Sequence, residues 1–146
     1  MTLRTRGAWL HAALLAALLG APSCQWAGDK NAVRVSFAAV RQQVDDVNSR
    51  LVSAVQSGEA DRIAGLDKEM NLALDTATNQ SSAMNILDRE HLSINVATAR
   101  HCMADMDRYA QSGDMDLVRA QAAQLAPTIN EVRVLLDRAE RTTTAK

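Results

Sequence analysis

Soft sulfur is the one kind of side chain in this sequence that gathers where it could do chemistry. If the chain folds into helical hairpins turning at Gly58 and Gly113, Met70 falls level with Cys102 and Met103. Met106 then sits one turn above Cys102, at the roughly 1.5 Å rise per residue of a helix. Thiolate and thioether ligands suit Cu(I), so Met70, Cys102, Met103 and Met106 form a candidate copper site. Packing is the competing role. Methionine fills irregular gaps in a core, and a free cysteine buries as a small hydrophobe. With no repeated Met-x-x-Met and no Cys/His cluster, packing is the favoured expectation and no metal is assigned.

Two other sets of residues invite a chemical reading. His91 follows Asp88 at a spacing that puts both on one helix side, half of a carboxylate-bridged di-iron motif. Such sites need the motif twice plus two further inward carboxylates, and the sequence offers no second His-bearing partner. His91 therefore reads as a boundary residue and His101 as a solvated one. The acid pairs Asp45-Asp46, Asp105/Asp107 and Asp114/Asp116 read as solvated faces and helix starts. No Gly-rich phosphate loop, nucleophile elbow or His-Glu-x-x-His is present, so no catalytic residue is assigned and an enzyme is not expected.

The elements that must position these residues are helices. Phe37, Val40, Val44, Val47, Leu51 and Ala54 recur at 3–4 spacing, the mark of an amphipathic helix. Gly58 ends that run where a left-handed residue is easiest. Glu59 and Asp61 begin a second helix with negative charge at its amino end, carrying Ile63, Leu66, Met70, Ala73 and Ala77. The polar stretch from Thr76 to Ser82 predicts a loop, with Ser81 or Ser82 capping a third helix. That helix drifts in register from Met84, Leu87, His91 and Ile94 to Val96, Ala99, Met103, Met106 and Ala110. After Gly113 a fourth helix holds Val118, Ala122, Leu125, Ile129, Val132, Leu136 and Ala139, with Pro127 inside it expected to kink it.

An internal repeat ties the two halves together. Gln56-Ser57-Gly58-Glu59 recurs as Gln111-Ser112-Gly113-Asp114, and at the same offset Val47 meets Cys102, Leu51 meets Met106 and Met70 meets Leu125. Two similar helical hairpins predict an all-α fold, an antiparallel up-down-up-down four-helix bundle over 32–141. A frayed tail over 142–146 would follow. The scarcity of glycine and proline supports this, since sheets need many turns. Acids number 17 against 16 bases and no basic run exists, so nucleic acid is not an expected partner.

The start of the chain has a different composition. Arg4 and Arg6 precede an apolar run from Ala8 to Leu19, then Gly20-Ala21-Pro22-Ser23 and Cys24. A basic head, a short apolar run and small residues are the parts of a secretory signal, and the run is shorter than the ~20 residues of a membrane span. These residues resemble the lipobox leader of bacterial lipoproteins, with Ser23 before the cut, Ala21 where Leu is usual and Pro22 as a departure. The resemblance implies cleavage of 1–23 and a diacylglycerol on the sulfur of Cys24, with 24–31 as a tether. Stable anchoring follows from two or three acyl chains. Gln25, where enteric lipoproteins of the inner membrane carry Asp, leans towards the outer membrane facing the periplasm. Ordinary cleavage after Ser23 without a lipid is the other way this leader can end. With Cys24 acylated, Cys102 is a lone thiol.

The second hairpin also resembles the small periplasmic four-helix b-type cytochromes. That resemblance implies haem ligated by a Met on the first helix and a His on the last. Here the first helix has no Met and the last no His, and Arg100-His101-Cys102-Met103 is not a haem-attachment motif, so no cofactor is assigned. The expectation is a non-enzymatic, lipid-anchored bundle of the cell envelope with a binding or structural role. Its partners would be the membrane, through the lipid, and an envelope protein. The alternative is a periplasmic metal- or haem-binding bundle using the Met/Cys layer.

Overall fold

The computed structural model describes residues 36–145. The expected leader, Cys24 and the tether lie outside the described residues. Four helices follow the apolar stripes: α1 (Phe37–Ser57), α2 (Ala60–Gln80), α3 (Ile86–Gln111) and α4 (Met115–Thr144). Each packs on its sequence neighbours and α4 closes against α1, which makes an antiparallel up-down-up-down bundle. No strand occurs among the described residues.

The internal repeat is visible in the turns. Gly58 and Gly113 have φ of 73° and 79°, a region that costs glycine little and other residues more. The N–H of Glu59 donates to Ala54 at 2.9 Å and that of Asp114 to Tyr109 at 3.0 Å. Ala60 and Met115 repeat the match, each donating at 3.1 Å to the glycine carbonyl of its own turn. These bonds satisfy carbonyls that the end of a helix leaves free. The same four-residue phrase thus folds into the same turn twice.

The core is aliphatic and sulfur-rich. Val40, Val44, Val47, Leu51 and Ala54 of α1 meet Ile63, Met70, Ala73 and Leu74 of α2, Val96, Met103 and Met106 of α3, and Val118, Ile129, Val132 and Leu136 of α4 in one buried cluster. Among the described residues the core runs from Phe37 to Ala139.

Ion pairs stitch each neighbouring pair of helices. Arg50 meets Glu69 between α1 and α2, and Arg100 meets Asp75 between α2 and α3. Arg138 meets Asp88 between α3 and α4. Arg41 reaches Asp137 at 3.0 Å and Arg133 reaches Asp45 at 2.6 Å between α1 and α4. The pairs exposed on both sides contribute about 0–1 kcal/mol each, so they fix register more than they add stability, whereas Asp88 is buried against Arg138.

Four local expectations are corrected. The loop expected over 76–82 is helix to Gln80, followed by a 3-10 turn at Ser81–Ala83. Thr76 and Thr78 turn their hydroxyls back onto the Leu72 and Leu74 carbonyls, at 2.9 Å each, and Ala77 is buried, so the stretch stays helical. The cap of α3 is Asn85, not Ser81 or Ser82; its side chain accepts from the Asp88 N–H at 3.0 Å. The drift in α3 is absent as well. Met84, Asp88, Leu92, Val96 and Ala99 form one continuous buried line, while Leu87, His91 and Ile94 are exposed.

Helix α4 continues to Thr144, past the expected end at 141, as Thr142, Thr143 and Thr144 bond back to carbonyls of the preceding turn. The element also runs on through Pro127. Pro127 and Ala123 both face solvent, so the carbonyl that loses its helical donor there can meet water.

Candidate functional site

Each sulfur group predicted from the sequence is in the core. Met70, Met103 and Met106 are fully buried and Cys102 nearly so, all in the same cluster. Helices α2 and α3 deliver them because Met70 continues the line of Ile63 and Leu66, and Met103 and Met106 continue that of Val96 and Ala99. Burial and the nearby Asp105 push the Cys102 thiol up from its ordinary value. A thiol held protonated is a poor nucleophile and a poor metal ligand, because both roles need the thiolate. Among the described residues no three His, Cys, Asp or Glu side chains converge on a point where a metal could sit.

Packing and ligation predict different outcomes here. Met70→Leu nearly conserves volume and is expected to cost less than about 1.5 kcal/mol, with unfolding indifferent to copper. Thermal melts with and without Cu(I) check this. A copper-dependent rise in melting temperature, lost in Cys102→Ala, would instead assign the layer to the metal.

The carboxylates divide by environment. His91 is exposed while Asp88 turns inward, so the two do not share a site. Asp88 accepts from Asn85 and from Arg138. His101 is largely solvated, its Nε2 3.5 Å from Asp105. Asp107, expected on a solvated face, is instead half-buried; its Oδ2 accepts from Gln111 at 2.8 Å and its Oδ1 is buried without a hydrogen-bond partner.

Asp67 on α2 is affected by Asp107. Burial first, and then the charge of Asp107, raise its carboxyl above the ordinary value, against the Asn71 amide and Lys68, which lower it. A carboxyl raised in the folded state binds its proton more tightly there than in the unfolded chain. Charged Asp67 therefore costs stability at neutral pH, and the cost fades as pH falls through the raised value towards the ordinary carboxylate range. Asp67→Asn keeps the acceptor for Asn71. It is expected to stabilise the bundle at pH 7 by under about 1 kcal/mol, with the gain vanishing in acid. Urea unfolding at several pH values reads both effects, and a gain that persists in acid would rule out this cause.

Shallow grooves gather at the end of the bundle away from the glycine turns. The first, of about 260 Å³, is lined by Ser36, Phe37, Asn79, Gln80, Ser82, Ala83, Glu140 and Thr143. Its one acid, Glu140, is engaged through Oε2 by the Ala38 N–H at 3.1 Å, at the start of α1. A neighbouring groove of about 280 Å³ continues along Ala83, Met84, Asn85, Thr142 and Thr143. Apart from Glu140 their lining is amide, hydroxyl and apolar, with no nucleophile set beside a base.

No protein-family model matches the chain, and no curated protein or solved structure is significantly similar to it. Its chemistry therefore has to be read from its own residues. Sequence reasoning missed the pairing of buried Asp88 with Arg138 and the Asp67–Asp107 pair. Asn85-x-x-Asp88 was a legible signal for the first, since an amide three residues before a carboxylate caps a helix start. The second had none, because it joins positions on two helices.

Proposed function

We propose that this chain is an exported, lipid-anchored helical bundle of the bacterial cell envelope, acting by binding and not by catalysis. The observation that carries it is the leader: Arg4 and Arg6, the apolar run to Leu19, the small residues to Ser23, and Cys24. A diacylated Cys24 holds the bundle at a membrane, with Gln25 favouring the outer one. No described helix is long and apolar enough to cross a membrane. The buried sulfur layer supplies packing in a core poor in aromatic residues. Binding then falls to the outer surface, with the membrane and an envelope protein as partners.

Cys24→Ser tests this directly. The wild-type chain is expected in the membrane fraction, heavier than its cleaved mass by the acyl groups; the variant is expected to be soluble or unprocessed. A variant that is processed and partitions like wild type would show that Cys24 carries no anchor.

A further inference from the structure

We propose that the end of the bundle bearing the α2–α3 turn is a bilayer-facing surface. Ile86 and Leu87 enter the interfacial layer, and Arg89 and Arg141 meet lipid phosphate. The inference deepens the anchored reading above and rests on it for the source of the membrane.

Four observations point to this end. The chain enters α1 here, since Ser36 and Phe37 line one groove with Asn79, Gln80, Ala83 and Thr143. The stretch from Cys24 to Ser36 spans at most about 40 Å fully extended, so an anchor on Cys24 keeps this end near the lipid. Ile86 and Leu87, in the first turn of α3, are 61% and 64% exposed. Arg89 and Arg141 are the two arginines among the described residues that make no ion pair there; Arg89 lines a groove with Thr78 and Ser81, and Arg141 lies in the last turns of α4.

Charge separates the two ends. The glycine-turn end carries Glu59, Asp61, Asp107, Asp114 and Asp116 against Arg62, Arg108 and Arg119. At the other end Arg41, Arg89, Arg138 and Arg141 offset Asp88, Glu90, Asp137 and Glu140. An anionic lipid surface therefore repels the first and tolerates the second. The apolar area also selects the occupant. Two aliphatic side chains fall far short of the ~800 Å² per partner that a stable protein interface buries. They suffice to orient a body already tethered, because a tether turns surface contact into an intramolecular event.

The test separates the surface from the anchor. A Cys24→Ser chain carrying a polyhistidine tag in place of 1–23 is bound to phosphatidylethanolamine/phosphatidylglycerol vesicles through nickel-chelating lipid. An environment-sensitive dye is placed on Ile86→Cys, or on Leu117→Cys at the opposite end, with buried Cys102 left unlabelled. The dye at 86 is expected to brighten several-fold on vesicles and to be quenched by doxyl lipids, while that at 117 stays unchanged. Adding Arg89→Glu and Arg141→Glu should abolish the response at 86. Equal responses at both ends, or none at 86, would overturn the proposal. So would a dye at 86 that brightens with protein concentration alone, which would assign the face to a second copy. Native acylation is read separately from the mass of the membrane-extracted chain, so the anchor and the surface can fail independently.

Discussion

Replacing Leu51 with Asp is expected to remove about 4 kcal/mol or more of stability, most or all of what a bundle of this size holds in reserve. Leu51 is 1% exposed in the middle of α1, surrounded by apolar side chains of the core. Two costs add there. The leucine side chain loses its burial, worth about 2 kcal/mol. The carboxylate must also either stay charged without a partner or take up a proton to enter. Val52, the next residue, is 44% exposed, and Val52→Asp is expected to stay within about 1 kcal/mol of wild type. Urea unfolding followed by far-UV circular dichroism compares the pair. Similar losses in both would mean that the helical phase of α1 has been misassigned, since one residue rotates a side chain by about 100°.

Arg138→Ala is expected to cost about 2–3 kcal/mol, well above the loss of an ordinary surface arginine. Asp88 is 5% exposed on the inward line of α3, between Met84 and Leu92, and its carboxylate is held by Arg138 and Asn85. Removing the arginine leaves a buried carboxylate short of its counter-charge, the costly half of breaking such a pair. Because Arg138 is half exposed, water can partly replace it, which keeps the figure below that of a fully enclosed pair. Replacing both partners, as Asp88→Leu with Arg138→Met, extends the apolar line and is expected to return stability to within about 1 kcal/mol of wild type. A double variant as weak as the two single changes combined would show that the residues act independently.

The corrections share a physical cause. Periodicity was readable wherever an apolar line was unbroken, as in Val40–Val44–Val47–Leu51 and Val118–Leu125–Ile129–Val132. It misled at the start of α3, where a buried acid, Asp88, takes a core position while Leu87 and Ile94 are exposed. A pattern that scores only apolar residues follows the wrong side of such a helix. The polar run from Thr76 looked like a loop because hydroxyl residues favour loops on average. Here Thr76 and Thr78 satisfy their hydroxyls on their own helix, and the buried Ala73 and Ala77 hold the last turns of α2 in place.

What the sequence by itself determined is what depends on neighbours along the chain. Those features are the four amphipathic lines, the paired Gly-acid turns, the burial of Met70, Cys102, Met103 and Met106, and hence the bundle. Each follows from helical spacing or from the backbone freedom of a glycine. What only the tertiary structure decided is what depends on groups meeting across helices. The ion pairs joining Arg41 to Asp137 and Arg133 to Asp45, the inward turn of Asp88 to Arg138, and the mutual charge of Asp67 and Asp107 all link residues on different helices. Packing sets the rotation and axial offset of each helix, and sliding one helix by a turn against its neighbour would pair different charges while keeping the same apolar line inward.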